Sequence, residues 1–534
     1  MSTELNIGLT FSGGGYRAAT FHLGALSFLN SVKVEHDKTL MDYVSVMSSV
    51  SGGTITALKY MLTRAQGKET SLMVDELFDF LCNEDLVDRA LKSLSAEKAN
   101  RNASSIQMMA RIYDECLFHN AEMGDIIDHF DRIPVKDYTA LATDFDNSLP
   151  FRFRLTEGRL LDGERVTYGA FGNQKHNIGR SVSRHITLGE ALACSSCFPS
   201  GFEPMMYPDD FKVSQNAEIT SKINSRFGIM DGGVVDNQGI DPVILAAERM
   251  HKYRQDKSRQ DKALDLIIVS DVASPYMDGY APCEQMIPDR LGKLTIGRLR
   301  NYGIISEVVV GLLFIGTLIA GSQFWVGVLS VILAIVTLLN AIGCLLDKRV
   351  SRAISSTFIG NRAEFIMHLK FASIEAMLMN RAKSVIMMSS EVFLKRMRKL
   401  SYDSIYSDTG WKNRIVSNAI YDLRPNERWQ SRAKNGTLPQ MLTPSDAIQQ
   451  NSALAADMGT TLWFTAEDKQ AGMPEALLAA GQYTMCYNLL KYIIEIEGTT
   501  ENLTPGHQVL ISLKPQLLKA WSRFQQDPHW MQKK

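Results

Sequence analysis

Asn6-Ile7-Gly8-Leu9-Thr10-Phe11-Ser12-Gly13-Gly14-Gly15-Tyr16-Arg17 decides the reading of the chain. Ile7 to Phe11 is a short apolar run that reads as a buried strand, and three glycines follow it. A helix-forming run from about Arg17 to Leu29 comes next. The same order recurs downstream. Tyr43 to Met47 is a second strand, Ser49-Val50-Ser51-Gly52-Gly53 a tight turn, and Thr54 to Leu62 a second helix. Leu264 to Ser270 is a third strand. Repeated strand-turn-helix units predict an α/β fold with a largely parallel central sheet flanked by helices. Ligands in such sheets gather at the carboxyl ends of the strands, where both glycine turns lie.

The turn at Ser49 to Gly53 has the setting of a nucleophile elbow, in which a strained strand-to-helix turn lifts a serine oxygen above the sheet. Ser51 is the candidate nucleophile. Ser49 stands where the G-x-S-x-G pattern has glycine, a departure in a residue that is still small. Gly13, Gly14 and Gly15 can turn backbone N–H groups toward a negative oxygen at a helix N-terminus, an oxyanion hole. Arg17 can bind a phosphate or brace this loop. The spacing matches neither G-x-G-x-x-G nor G-K-[ST], which argues against a nucleotide loop. Met230-Asp231-Gly232-Gly233 can aim a carboxylate into the site. Asp144 and Asp146 are rival carboxylates, and His22, between Phe21 and Leu23, reads as a packed histidine without a catalytic role.

The bulk numbers narrow the partners. The chain has 534 residues and a formal net charge of -1, so it lacks the global basic field that nucleic acid would need. Seven widely spaced cysteines do not form a disulfide framework, and a reducing compartment fits them. Cys194 and Cys197 make a lone CxxC with no second ligand pair, so no metal is expected. Met1 to Leu9 lacks the pattern of a secretory leader. The charged stretch Lys252 to Lys262 reads as a solvated surface segment.

Val308 to Leu346 is a run of 39 residues without a charge. As one helix it would be about 58 Å long, roughly twice the hydrocarbon core of a bilayer. It must fold back, and Gly321-Ser322-Gln323 is the polar break between helices near 304–320 and 324–346. Glu307 falls at or near the interface. Lys293, Arg298 and Arg300 precede the hairpin, and Lys348, Arg349 and Arg352 follow it, as expected when both ends face the cytoplasm. Helix formers dominate Ala363 to Met397 and Met473 to Ile496.

The sequence G-G-G-x-R, S-x-S-G-G and D-G-G, in this order from Ile7 to about Pro275, resembles the patatin-like phospholipases. Arg17 to Leu26 and Thr187 to Pro204 resemble the longer bacterial members, with a fainter echo from Thr460 to Phe464 and around Ala479. The resemblance implies a patatin-like lipase fold with Ser51 as nucleophile, Asp231 as its dyad partner and Gly13, Gly14 and Gly15 as the oxyanion loop, and no cofactor. It implies a catalytic domain over 1–300 and a mainly helical C-terminal part over 350–534 that completes or caps the fold; the uncharged run, outside the minimal family fold, adds an inserted transmembrane helical hairpin over 304–346. The expected activity is hydrolysis of fatty-acyl esters of membrane glycerophospholipids at the cytoplasmic face of a bacterial plasma membrane. A lysophospholipase or transacylase with the same dyad, and a catalytically silent membrane scaffold, remain open, as do an activator and self-association.

Overall fold

The computed structural model describes residues 5–96, 104–159, 165–199, 201–221, 223, 225–253, 263–273, 279–284, 286–355, 368–411, 413–426, 428–436, 439–499 and 503–533. Of the charged stretch Lys252 to Lys262, residues 254–262 lie outside this set, as does Pro275. Two units are present: Met1–Met277 together with Ser389–Lys534, and Asp278–Met388.

The first unit is built on a ten-stranded sheet. Its strands are β1 (Ile7–Phe11), β2 (Val44–Val50), β3 (Asp137–Asp144), β4 (Leu149–Arg159), β5 (Arg165–Gly172), β6 (Asn177–Ile178), β7 (Met205–Tyr207), β8 (Phe227–Asp231), β9 (Leu266–Asp271) and β10 (Ile415–Ala419). The order runs β10-β9-β1-β2-β3-β4-β5-β6. From β10 to β3 every pairing is parallel, and from β3 to β6 every pairing is antiparallel. The three strands expected from the sequence sit in the parallel part. They are buried throughout apart from the half-buried Ser45, which is why they read as short runs of apolar and small residues.

The C-terminal part enters this same sheet: β10 is its edge, paired with β9. The helix Met473–Glu497 packs on α1 (Gly15–Ser31). A β-carbon built on Gly24 would stand 2.1 Å from the Leu478 carbonyl oxygen, and one on Gly481 would stand 2.0 Å from that of Phe21. Backbone meets backbone at this crossing, so no side-chain movement can make room. Gly481→Val is therefore expected to destabilise the unit by about 3 kcal/mol or more, with Gly24→Val similar, read as a fall in the thermal unfolding midpoint.

In the second unit, the helices Ile296–Ile319 and Gln323–Ser355 form a hairpin that turns at Gly321, whose φ is +68°. Both are longer than the sequence suggested. Thr295 starts the first by accepting the Arg298 amide at 3.1 Å, and charged residues at either end continue the helices without breaking them. Arg300–Ile319 and Gln323–Ala341 have mean hydropathies of 2.1 and 2.3 and are long and apolar enough to cross a membrane. Leu312, Ile319 and Phe324 are exposed. Glu307 joins the two helices by accepting from Thr337 and from Asn340, each at 2.8 Å.

Of the expected helix over Ala363 to Met397, residues 363–367 lie outside the described set. The remainder is the helix Phe371–Met387, a π-helical turn over Met388–Phe393, and the start of the helix Leu394–Ser407.

Candidate active site

The site forms where two strands end against a third. β2 runs parallel to β3 up to the pair Val50 and Leu141. The next residue of β3, Ala142, pairs with Asp231, the last residue of β8, which arrives antiparallel. Two strand ends thus meet head to head on β3, and the residues at the junction are Ser51 and Asp231.

Ser51 has φ 50° and ψ −122°, a conformation that costs a non-glycine residue about 1–3 kcal/mol and persists only when its surroundings impose it. The constraints are visible. Its amide donates to Ser195 Oγ at 2.9 Å, and its carbonyl accepts the Thr54 amide at 2.8 Å. Gly52 then begins α2 (Gly52–Ala65), and a β-carbon there would lie 2.1 Å from the Gly15 carbonyl oxygen. The elbow is pressed directly against the glycine loop after β1.

Ser49 is fully buried, and its hydroxyl has partners. Tyr138 lies 2.9 Å away, and Thr54 donates to Ser49 at 3.1 Å. Thr54 also lies 3.0 Å from Ser195 Oγ, which donates to the Leu141 carbonyl at 2.7 Å. The serine that departs from the elbow pattern is thus one link in a hydroxyl chain under the turn.

Asp231 is buried, and burial raises its carboxyl pKa to about 6 against two weaker opposing effects. The Gly233 amide donates to Oδ1 at 2.6 Å, and the nearby Ser51 side chain also favours the charged form. The result is a carboxylate poised close to neutral pH, the range suited to a general base.

In the glycine loop, the Gly13 amide donates to the Asn237 carbonyl at 3.1 Å, and the Tyr16 amide donates to the Thr461 carbonyl at 2.7 Å. No acceptor is recorded for the amides of Gly14 and Gly15 among the described residues. These are the donors open to an oxyanion. Gly13 serves differently: a β-carbon there would strike Asn237 Oδ1 at 2.4 Å and stand 3.1 Å from Ser51 Cβ. Gly14 and Gly15 have φ of +145° and +58°, which L side chains rarely adopt.

Arg17 braces this loop. Its Nη1 donates to the Met458 carbonyl at 2.9 Å and its Nη2 to Thr460 Oγ1 at 3.3 Å. His22 supports it from below. Its Nε2 faces the Ser12 carbonyl at 3.0 Å and so must carry the proton, leaving Nδ1, 2.9 Å from Ser270 Oγ, as acceptor. The ring stacks on Phe11, and burial lowers its pKa to about 4. Asp144 is a structural hub that accepts from Asn147, Asn173 and His176. Asp146 gives its amide to that hub. Cys194 and Cys197 are buried, and burial raises both thiol pKa values.

Sequence reading missed Ser195, Asn237 and Thr461. Ser195 lies inside the Thr187 to Pro204 stretch that already stood out, and Asn237 follows Asp231 by one short turn. Thr461 belongs to the Thr460 to Phe464 echo. The signal was present in each case, but the contact was not.

Residues 9–244 match the family model described as patatin-like phospholipase. No curated protein matches the chain. Among solved structures, human GIVD cytosolic phospholipase A2 in complex with methyl gamma-linolenyl fluorophosphonate is 14% identical, over 50% of this chain and 40% of that one, with a TM-score of 0.30. A second structure of human GIVD cytosolic phospholipase A2 is 14% identical, over 50% of this chain and 43% of that one, with a TM-score of 0.31. This chain thus spans less than half the length of those proteins. Over residues 9–244, with an α/β sheet that carries the elbow, the glycine loop and the D-G-G turn, the chain holds a domain of the patatin-like phospholipase family.

Proposed function

We propose that the chain is a membrane-anchored serine hydrolase that cleaves fatty-acyl esters of glycerophospholipids. The observation that carries this reading is the junction on β3 that brings the strained Ser51 and the buried carboxyl of Asp231 together, beside two glycine amides that have no acceptor among the described residues. Ser51 Oγ attacks the ester carbonyl and passes its proton to Asp231. The amides of Gly14 and Gly15, with the N-terminus of α2 close by, hold the oxygen that becomes negative. Collapse breaks the ester bond, and the departing alcohol, a lysophospholipid, takes the proton back from Asp231. Water then attacks the acyl-enzyme, again giving its proton to Asp231, and releases the fatty acid with Ser51 restored.

The hairpin supplies the location. Arg300–Ile319 and Gln323–Ala341 would insert as a pair from the cytoplasmic face of a bacterial plasma membrane, keeping the catalytic unit beside its substrate. The Glu307, Thr337 and Asn340 contacts favour insertion as a joined pair, because polar groups in lipid need internal partners. Alkaline carbonate extraction of cell membranes is expected to leave the full chain in the pellet; recovery in the supernatant would remove the anchor.

The chemistry is tested with full-length protein in detergent and mixed micelles of phosphatidylglycerol or phosphatidylethanolamine. The expected products are fatty acid and lysophospholipid in equal amounts. Release only from added lysophospholipid, or transfer of the acyl group to an alcohol in place of water, would point to the lysophospholipase or transacylase with the same dyad.

A further inference from the structure

The helix Leu394–Ser407 contributes no residue to the chemistry above, yet it touches the segments that fix both catalytic loops. Arg398 Nε donates to Asp271 Oδ2 at 2.8 Å, and Tyr402 donates to the same oxygen at 3.2 Å. The guanidinium also lies over the Tyr402 ring, 4.9 Å from its centroid. Asp271 is wholly buried at the end of β9, while Arg398 is 20% exposed.

The residues on either side of Asp271 fix the start of the glycine loop. The Ser270 carbonyl accepts the Ser12 amide at 3.0 Å, and the Val272 amide donates to Ser12 Oγ at 3.0 Å. The other Asp271 oxygen accepts the Ala273 amide at 2.8 Å. One turn along the helix from Arg398, Ser401 donates to Asp236 Oδ1 at 3.4 Å. Asp236 closes the turn after Asp231 by accepting the amides of Gln238, Gly239 and Asp241 at 3.2, 3.1 and 2.9 Å. Between Asp236 and Gln238 lies Asn237, whose carbonyl receives the Gly13 amide.

We infer that Arg398 is a positioning residue for this active site. Through Asp271, and with Ser401 on Asp236, the Leu394–Ser407 helix holds the glycine loop and the Asp231 turn at their working separation. The inference rests on the proposed Ser51 and Asp231 chemistry for its kinetic effect, but not for its structural one. A small displacement of an oxyanion donor or a base costs rate without weakening substrate binding, and a shift of 1 Å can cost about 100-fold.

The test uses the full chain in detergent, with wild type, Arg398→Ala, Arg398→Lys and the double variant Arg398→Gln with Asp271→Asn. The double variant leaves no unpaired buried charge and guards against simple misfolding. Arg396→Ala, an exposed position on the same helix, is the control. Two readouts are taken: amide hydrogen exchange over 12–17 and 231–239, and kcat against KM for fatty-acid release.

Arg398→Ala and the double variant are expected to speed exchange about tenfold or more in those two segments, leaving β4 and β5 as in wild type. They are expected to lower kcat by about 10- to 100-fold with KM within about twofold, and Arg398→Lys to restore part of it. Exchange unchanged in both segments would overturn the inference whatever the activity, as would a uniform rise across the sheet. If wild type released no fatty acid, the chemistry would fail while the exchange result still decided the positioning role.

Discussion

Ser51→Ala is expected to lower fatty-acid release by about 10⁴- to 10⁶-fold, with the folded chain intact. The acyl-enzyme cannot form without the Ser51 oxygen, and what remains is the modest rate that the amides of Gly14 and Gly15 give to attack by water. The substitution removes one oxygen at a position whose backbone is held by Ser195, Thr54 and the contact between Gly52 and Gly15. Its thermal midpoint should therefore stay close to that of wild type. Fatty-acid release and the unfolding midpoint, measured on the same preparation, separate loss of chemistry from loss of fold.

Asp231→Asn is expected to lower kcat by about 10³- to 10⁴-fold, because an amide cannot take the Ser51 proton. Its effect on stability should go the other way. The Asp231 pKa of about 6 in the folded chain lies above the ~3.9 of an unfolded aspartate. Folding thus favours the protonated form. That contribution is complete below about pH 4 and is lost as the pH rises through 6. Above pH 6 wild type carries a buried carboxylate that the amide variant lacks. The variant is expected to be more stable there by roughly 2–3 kcal/mol, with the gap closing toward pH 4. For wild-type activity the same titration sets an acidic limb. kcat/KM should fall tenfold per pH unit below about 6 and level off above it. Denaturant midpoints at pH 5 and 7.5 and a pH-rate profile check both effects. A variant less stable than wild type at pH 7.5 would contradict the burial account of Asp231.

The difference between what the sequence disclosed and what it concealed follows from distance along the chain. Ser51, Gly52 and Gly53 carry an elbow within consecutive residues, and so do Asp231 to Gly233 and Gly13 to Arg17, so the local pattern exposes each. The partners that hold them do not adjoin them. Ser195 is 144 positions from Ser51, and Met458 is 441 from Arg17. No periodicity could show that the Gly13 amide is taken by the Asn237 carbonyl while those of Gly14 and Gly15 have no acceptor among the described residues. The head-to-head meeting of β2 and β8 on β3 is likewise a matter of register.

The strands show the same division. β1, β2 and β9 are buried on both faces and read clearly, whereas β4 alternates buried with half-buried residues and includes Arg152 and Arg154. Its polar face hid it, as it hid the antiparallel flank of the sheet. The hairpin was legible because a long uncharged run has few other uses. Its ends were not, because Arg298, Arg300, Lys348, Arg349 and Arg352 are good helix formers despite their charge.

The most direct test of the central claim is to treat the full-length protein with a long-chain alkyl fluorophosphonate and locate the adduct by peptide mass spectrometry. An activated serine displaces fluoride and keeps the phosphonate. The account predicts one adduct per chain, on Ser51, and none in Ser51→Ala. An adduct on another residue, or no adduct in a wild-type chain that releases fatty acid, would contradict it.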